Sequence, residues 1–95
     1  MKVELTQSAF KDLENTLPNY EDQGVPEQGS RLVLDILKKS ERLAKHPDSG
    51  RVVPEFGMPF LREMIVPPFR VVYRRDPQMI WIIRVWRSER LLKLD

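Results

Sequence analysis

Residues 69–87, FRVVYRRDPQMIWIIRVWR, decide how this chain reads. Two runs rich in Val, Ile, Tyr, Phe and Trp flank Asp76-Pro77-Gln78. β-branched and aromatic side chains suit a pleated, half-buried surface, and Asp and Pro favour a turn, so the stretch predicts a β-hairpin. Against that pattern stand arginines at 70, 74, 84 and 87. Side chains alternate between the two faces of a strand, so the hairpin register settles where the arginines go. A loop that sets Arg75 opposite Met79 pairs Tyr73 with Trp81, Val71 with Ile83 and Phe69 with Val85 on one wholly apolar face. The other face then collects Arg70 against Arg84, Arg74 against Ile80 and Val72 against Ile82, with Trp86 beside them. A shorter loop would mix Arg84 with Phe69 and leave both faces half polar.

Like charges directly across a sheet repel, so Arg70 against Arg84 makes sense where something anionic meets them. The expectation is a basic target-binding face made of Arg62, Arg70, Arg74, Arg84, Arg87 and Arg90, with Trp86 either a packing residue, the commoner role, or a ring that stacks on a base. The alternative is that these arginines lie over apolar surface or pair with Glu55, Glu63 and Glu89, as ordinary ion pairs do. By phase Trp81 and Tyr73 are core residues, and the Tyr73 hydroxyl needs a hydrogen-bond partner.

Outward from the hairpin, RVVPEF and LREMIV read as further strands, separated by Gly57 to Pro59 and closed by Pro67-Pro68. At the N-terminus, KVEL alternates Val3 and Leu5 with charge, as a short strand does. Thr6 is placed to cap a helix whose apolar face is Phe10, Leu13, Leu17 and Tyr20, with Pro18 ending or kinking it. A second helix is predicted from about Pro26 to Lys45, burying Val33, Ile36, Leu37 and Ala44, and HPDSG stops it. The pattern β-α-α-β-β-β is an α+β fold, a helical hairpin packed on a small, mainly antiparallel sheet. At 95 residues, the expectation is a single domain over 1–95.

The chain has no cysteine and one histidine, His46 between Lys45 and Pro47, which argues against a thiolate or histidine metal site. No cofactor is expected. No apolar run approaches the ~18 residues of a membrane span, and MKVELTQSAF carries acid and amide where a secretory signal is apolar. A cytoplasmic protein is the expectation. The net charge of +2 divides unevenly: residues 1–50 hold seven Lys/Arg against nine Asp/Glu, and residues 51–95 hold nine against five. Eight of the ten arginines fall in the second half, and arginine over lysine suits bidentate recognition of phosphate or carboxylate.

The combination of GRVVPEF, LREMIV and PFRVVYR, followed by an apolar last strand, resembles the RelE/ParE superfamily of bacterial toxin–antitoxin toxins. The resemblance covers most of the chain and implies the same fold, with a cognate antitoxin as partner. It implies one of two targets: DNA gyrase, poisoned by ParE-like members, or mRNA in the ribosome, cut by RelE-like endoribonucleases. For the nuclease, Glu55 and Arg70 match an acidic residue and an arginine used by some members, and Arg84 and Arg87 would add phosphate contacts. Such enzymes often offer His or Tyr near the C-terminus, where this chain has Arg87-Ser88-Glu89-Arg90. The gyrase reading is preferred. A non-toxic nucleic-acid-binding module using the same face remains a third class, and a homodimer stays open. The tail LLKLD, with Leu91, Leu92 and Leu94, is a candidate antitoxin or dimer contact, the alternative being a disordered end.

Overall fold

The computed structural model describes residues 1–88. In chain order the elements are β1 (Lys2–Leu5), α1 (Gln7–Asp22), α2 (Pro26–Arg42), β2 (Arg51–Val52), β3 (Leu61–Val66), β4 (Phe69–Arg75) and β5 (Met79–Arg87). The expected order holds, but of the strand read over RVVPEF only Arg51–Val52 pairs in the sheet, and the residues after it form a connector. The sheet order is β1-β5-β4-β3-β2, antiparallel throughout except where β1 runs parallel to β5. Pro67 and Pro68 make the tight turn between Val66 and Phe69, where neither proline is asked for a ladder N–H.

α1 starts where the sequence places it: the Thr6 hydroxyl accepts the Ala9 N–H at 3.2 Å. It then continues through Pro18 rather than ending there. Proline there deletes only the donor to the Glu14 carbonyl, and both residues lie on the exposed side, where water can satisfy that group. The buried stripe is also rotated from the expected one. Ala9, Leu13, Thr16 and Tyr20 face the sheet, and Phe10 is 56% exposed. Thr16 tolerates burial because its hydroxyl donates to the Asp12 carbonyl at 2.9 Å within the helix.

α2 buries Gly29, Ile36 and Ser40, with Val33 and Leu37 partly covered. It ends three residues short of Lys45, and Leu43 rather than Ala44 takes the fully buried place. The two helices come close at Gly29, where a Cβ would lie 2.8 Å from the Tyr20 Cβ. That contact lets the hairpin pack as one layer.

The inner face of the sheet meets this layer through Val66, Phe69, Val71, Tyr73, Ile80, Ile82 and Val85. Here the register departs from the sequence reading in two places. Arg75 stands opposite Ile80, not Met79, so the turn is one residue longer. A β-bulge follows: Tyr73 pairs with Ile82 and Val72 with Arg84, which leaves Ile83 as the extra residue. The first offset inverts the faces of residues 80–82, and the second restores them from Arg84 onward. Trp81 is therefore not core but half-buried on the outer face, and Ile80 and Ile82 fill the places expected for Trp81 and Ile83. Phe69, Val71, Tyr73 and Val85 lie inside as expected. Arg70 faces Trp86, and Arg84 faces Val72, so the expected arginine-on-arginine pair does not form.

β1 covers β5 only from Met79 to Ile82. Beyond it the edge of β5 is sealed by side chains: the Thr6 hydroxyl donates to the Ile83 carbonyl at 3.1 Å, and the Val85 N–H donates to Asp12 Oδ2 at 2.9 Å. Asp12 also takes two hydrogen bonds from Arg84, at 2.9 and 3.0 Å. Replacing Asp12 with Ala is expected to destabilise the fold by about 1.5–3 kcal/mol, as for hydrogen bonds to a charged group. Urea unfolding measures this, and a loss under about 0.5 kcal/mol would mean the carboxylate does not hold the strand edge.

Candidate functional site: the outer face of the sheet

Residues of one phase on β3, β4 and β5 form this face: Leu61, Glu63 and Ile65; Arg70, Val72 and Arg74; Trp81, Arg84 and Trp86. The connector from β2 to β3 folds across its centre. Val53 is fully buried there with Leu61 and Val72, and Phe56, Ile83 and Trp86 pack against them. The face thus has its own small apolar core, and charged groups are set into it.

At the centre lies a chain of four charges. Arg70, only 7% exposed, donates from Nη1 and Nη2 to the two carboxylate oxygens of Glu55, at 2.6 and 2.8 Å. Its Nε donates to Glu63 Oε1 at 2.8 Å, and Nη2 also reaches that oxygen. Glu63 is 1% exposed, and its second oxygen accepts from Arg51 Nε at 2.6 Å. A buried charge survives only if paired and fully hydrogen-bonded, and this cluster meets that demand with planar, bidentate geometry. The Arg70 guanidinium is pushed above its already high ordinary value, mainly by the hydrogen bonds it donates to Glu55. Burial opposes the shift, and Glu63 adds to it. Such a group does not give up a proton.

The other expected members of the basic face are placed differently. Arg74 is the most solvent-facing, its side chain 45% exposed, and is paired with Asp76 at 3.0 Å. Arg74→Ala should change stability by less than about 1 kcal/mol, because exposed pairs are screened. Thermal unfolding of that variant checks the contrast with Asp12. Arg84 lies on Asp12 and stacks on Trp86, its guanidinium carbon 4.6 Å from the ring centroid. Trp86 is accordingly a packing residue covered by Arg84 rather than a ring open for stacking. Arg62 is opposite Tyr73 and so belongs to the helix side of the sheet. There its Nε donates to the Pro59 carbonyl and its Nη1 to the Asp48 and Gly50 carbonyls. Arg87, opposite Phe69, also lies on the helix side, 5.8 Å above the Phe69 ring. Arg90, Glu89 and the leucines of the tail lie outside the described residues.

Sequence reasoning brought together Arg70, Glu55 and Glu63, the pairing it weighed as the alternative to a free cationic face. It missed Asp12 and Asp48, the acids that meet Arg84, Arg62 and Arg75 from a distance in sequence. One signal for them was present: the acid excess of residues 1–50 complements the arginine excess of residues 51–95. Among the described residues, no group of three or more His, Asp or Glu is arranged to hold a metal ion, and no helix is long and apolar enough to cross a membrane.

Comparison with known proteins agrees with this architecture. No curated protein matches the sequence significantly. A solved structure described as the chromosomal ParDE TA system from P. aeruginosa superposes with a TM-score of 0.78 at 26% sequence identity, over 94% of this chain and 97% of that one. The sequence profile of the ParE toxin of type II toxin-antitoxin system, parDE, matches residues 3–92. With the helical hairpin, the mixed sheet and nearly the whole length matched, the chain belongs to the ParE toxin family of type II toxin–antitoxin systems.

Proposed function

We propose that this toxin arrests growth in the bacterial cytoplasm by poisoning DNA gyrase through protein–protein contact, and that it is held inactive by a cognate antitoxin. The observation that carries the choice of mechanism is the state of Glu55 and Arg70. A metal-free ribonuclease needs a base to take the 2′-hydroxyl proton and cations to meet the charged phosphorane. Here the matching carboxylate and guanidinium are bound bidentately to each other, and Arg70 is buried and shared with Glu63. Arg84 is likewise committed to Asp12. A surface whose cations are internally neutralised suits recognition of a folded protein better than catalysis on a polyanion. Membership of the ParE family supports the same target.

The test places purified toxin in two assays side by side. Supercoiling by gyrase should fall and trapped DNA breaks should accumulate, with no defined cuts in mRNA on programmed ribosomes. Defined cuts with gyrase untouched would overturn the reading in favour of a RelE-like nuclease. Activity in neither assay, with nucleic-acid binding that weakens steeply as salt rises, would mark a binding module. Induced expression without antitoxin should arrest bacterial growth, and normal growth with folded, soluble protein present would count against a toxin.

A further inference from the structure

β1 ends the sheet on one side, and its outer edge is open. The Thr6 N–H donates to the Ile82 carbonyl at 2.9 Å. Backbone groups alternate in direction along a strand, so those of Lys2 and Glu4 turn toward β5 with Thr6, and those of Val3 and Leu5 turn away from the sheet. Among the described residues nothing pairs with the outward N–H and C=O groups of Val3 and Leu5. Their side chains pack against the helix-side core, which leaves Lys2 and Glu4 on the outer face as an ion pair of 3.1 Å. The strand is held in place at its start, where the Met1 nitrogen donates to the Ala44 carbonyl at 3.3 Å. A fixed strand with free backbone groups is a template for another strand. We propose that it pairs with the same edge of a second copy of this chain, antiparallel about a two-fold axis at Val3, so that two five-stranded sheets join. Pairing of this kind is independent of the toxin's target, and its failure would leave the gyrase reading untouched.

The order of charges along β1 selects both the occupant and the register. A two-fold seam must set outward-turned residues against one another. Centred on Val3, it lets the two Val3 residues exchange N–H···O=C bonds and brings the Leu5 N–H to the Met1 carbonyl of the other copy. Lys2 then stands opposite the other copy's Glu4, and the symmetry repeats that contact. These are the non-hydrogen-bonded positions, where facing side chains come closest, and opposite charges there attract. Centred on Glu4, the same edge would set carboxylate against carboxylate. Centred on Leu5, it would set Val3 against Gln7, where α1 begins and the strand has ended. Charged side chains on an edge ordinarily deter strand addition. Here Lys2 and Glu4, two positions apart on one face, deter a strand without that order and match a second copy. The strand has only four residues, so the interface is smaller than a standard one and the dimer is weak and concentration-dependent.

Sedimentation equilibrium of the purified toxin from about 5 to about 500 µM should show monomer passing to dimer. Lys2→Glu and Glu4→Lys each set like charges opposite one another, and the two-fold axis counts each change twice, so each should weaken dimerisation at least about tenfold. An equimolar mixture of the two variants should recover the dimer as a heterodimer. The chain carrying both substitutions should dimerise as wild type does, since opposite charges still face each other. The Lys2 and Glu4 side chains are 72% and 42% exposed, so their pair adds little to the fold, and circular dichroism should stay unchanged. Hydrogen exchange read by NMR reports on the edge itself: the Val3 and Leu5 amides should slow as concentration rises, while Glu4, which already faces β5, should not. If a single variant fails to fold, the doubly exchanged chain and the amide readout still decide. A monomer at about 500 µM, a dimer indifferent to both charge reversals, or a dimer in which the Val3 and Leu5 amides exchange as in the monomer would overturn the proposal. So would protection of those amides only on adding the cognate antitoxin, which would assign the edge to a strand of that partner.

Discussion

Glu63→Ala is expected to be among the most damaging single changes in the protein, lowering unfolding free energy by about 3–5 kcal/mol. The carboxylate is buried in the outer face, with one oxygen on Arg70 and the other on Arg51. Its removal leaves Arg70, itself 7% exposed, dependent on the more exposed Glu55. The loss measures a charge left poorly compensated, not the net worth of the pair, since paired burial is itself costly. A double replacement, Glu63→Leu with Arg70→Met, should therefore be much less harmful than the sum of the two single changes. Urea unfolding at constant m-value reads both numbers. A loss under about 1 kcal/mol for Glu63→Ala would mean that the cluster is hydrated and exchangeable, contrary to the geometry described.

The second large effect is at Tyr73, where two kinds of interaction meet in one side chain. The residue is fully buried between the helices and the sheet, and its hydroxyl donates to the Pro47 carbonyl at 2.8 Å while accepting the Gly50 N–H at 3.0 Å. The phenol thus ties the loop between α2 and β2 to the core. Tyr73→Ala should cost about 3–5 kcal/mol, by loss of apolar burial and the cavity left behind. Tyr73→Phe keeps the ring but strands a carbonyl and an N–H, and should cost about 1–3 kcal/mol. A phenylalanine variant as stable as wild type would show that the loop does not rely on this hydroxyl. Burial pushes the Tyr73 phenol above its ordinary value, against a lowering by the Gly50 bond. A raised folded-state value contributes stability that is present below the unfolded tyrosine range near 10 and is lost as pH rises beyond it through the folded value. Wild type should accordingly show an alkaline loss of stability that Tyr73→Phe lacks.

Gly50 shows how tightly that joint is built. A Cβ there would lie 2.7 Å from both the Glu63 carbonyl oxygen and the Tyr73 hydroxyl. The HPDSG segment reads in sequence only as a helix stop. Folding makes it the hub whose backbone holds both Arg62 and Tyr73.

Much of the fold was written in local pattern. The alternation of KVEL, the Thr6 cap, the apolar spacing before HPDSG and the turn residues between strands each place an element from its own residues, because propensity and capping act over a few positions. The same holds for Tyr73 as a core residue and for the identity of the family, carried by GRVVPEF, LREMIV and PFRVVYR. The sequence also determined that arginine would be concentrated in the last strands. What it did not determine was the register of β5. The run MIWIIRVWR offers an apolar side chain at nearly every position, so alternation there does not distinguish one phase from the next. Only the packing of Ile80 and Ile82 against the helices, with the bulge at Ile83, moved Trp81 to the outer face. Nor did it determine the charge state of that face. Asp12 and Arg84 are 72 positions apart and Asp48 and Arg75 are 27 apart, so no local pattern links them. Glu55 meets Arg70 only because the connector from β2 to β3 crosses the sheet. Chain composition set how many cations and acids were available; tertiary contact, which depends on distance in space and on burial, decided which of them neutralise one another.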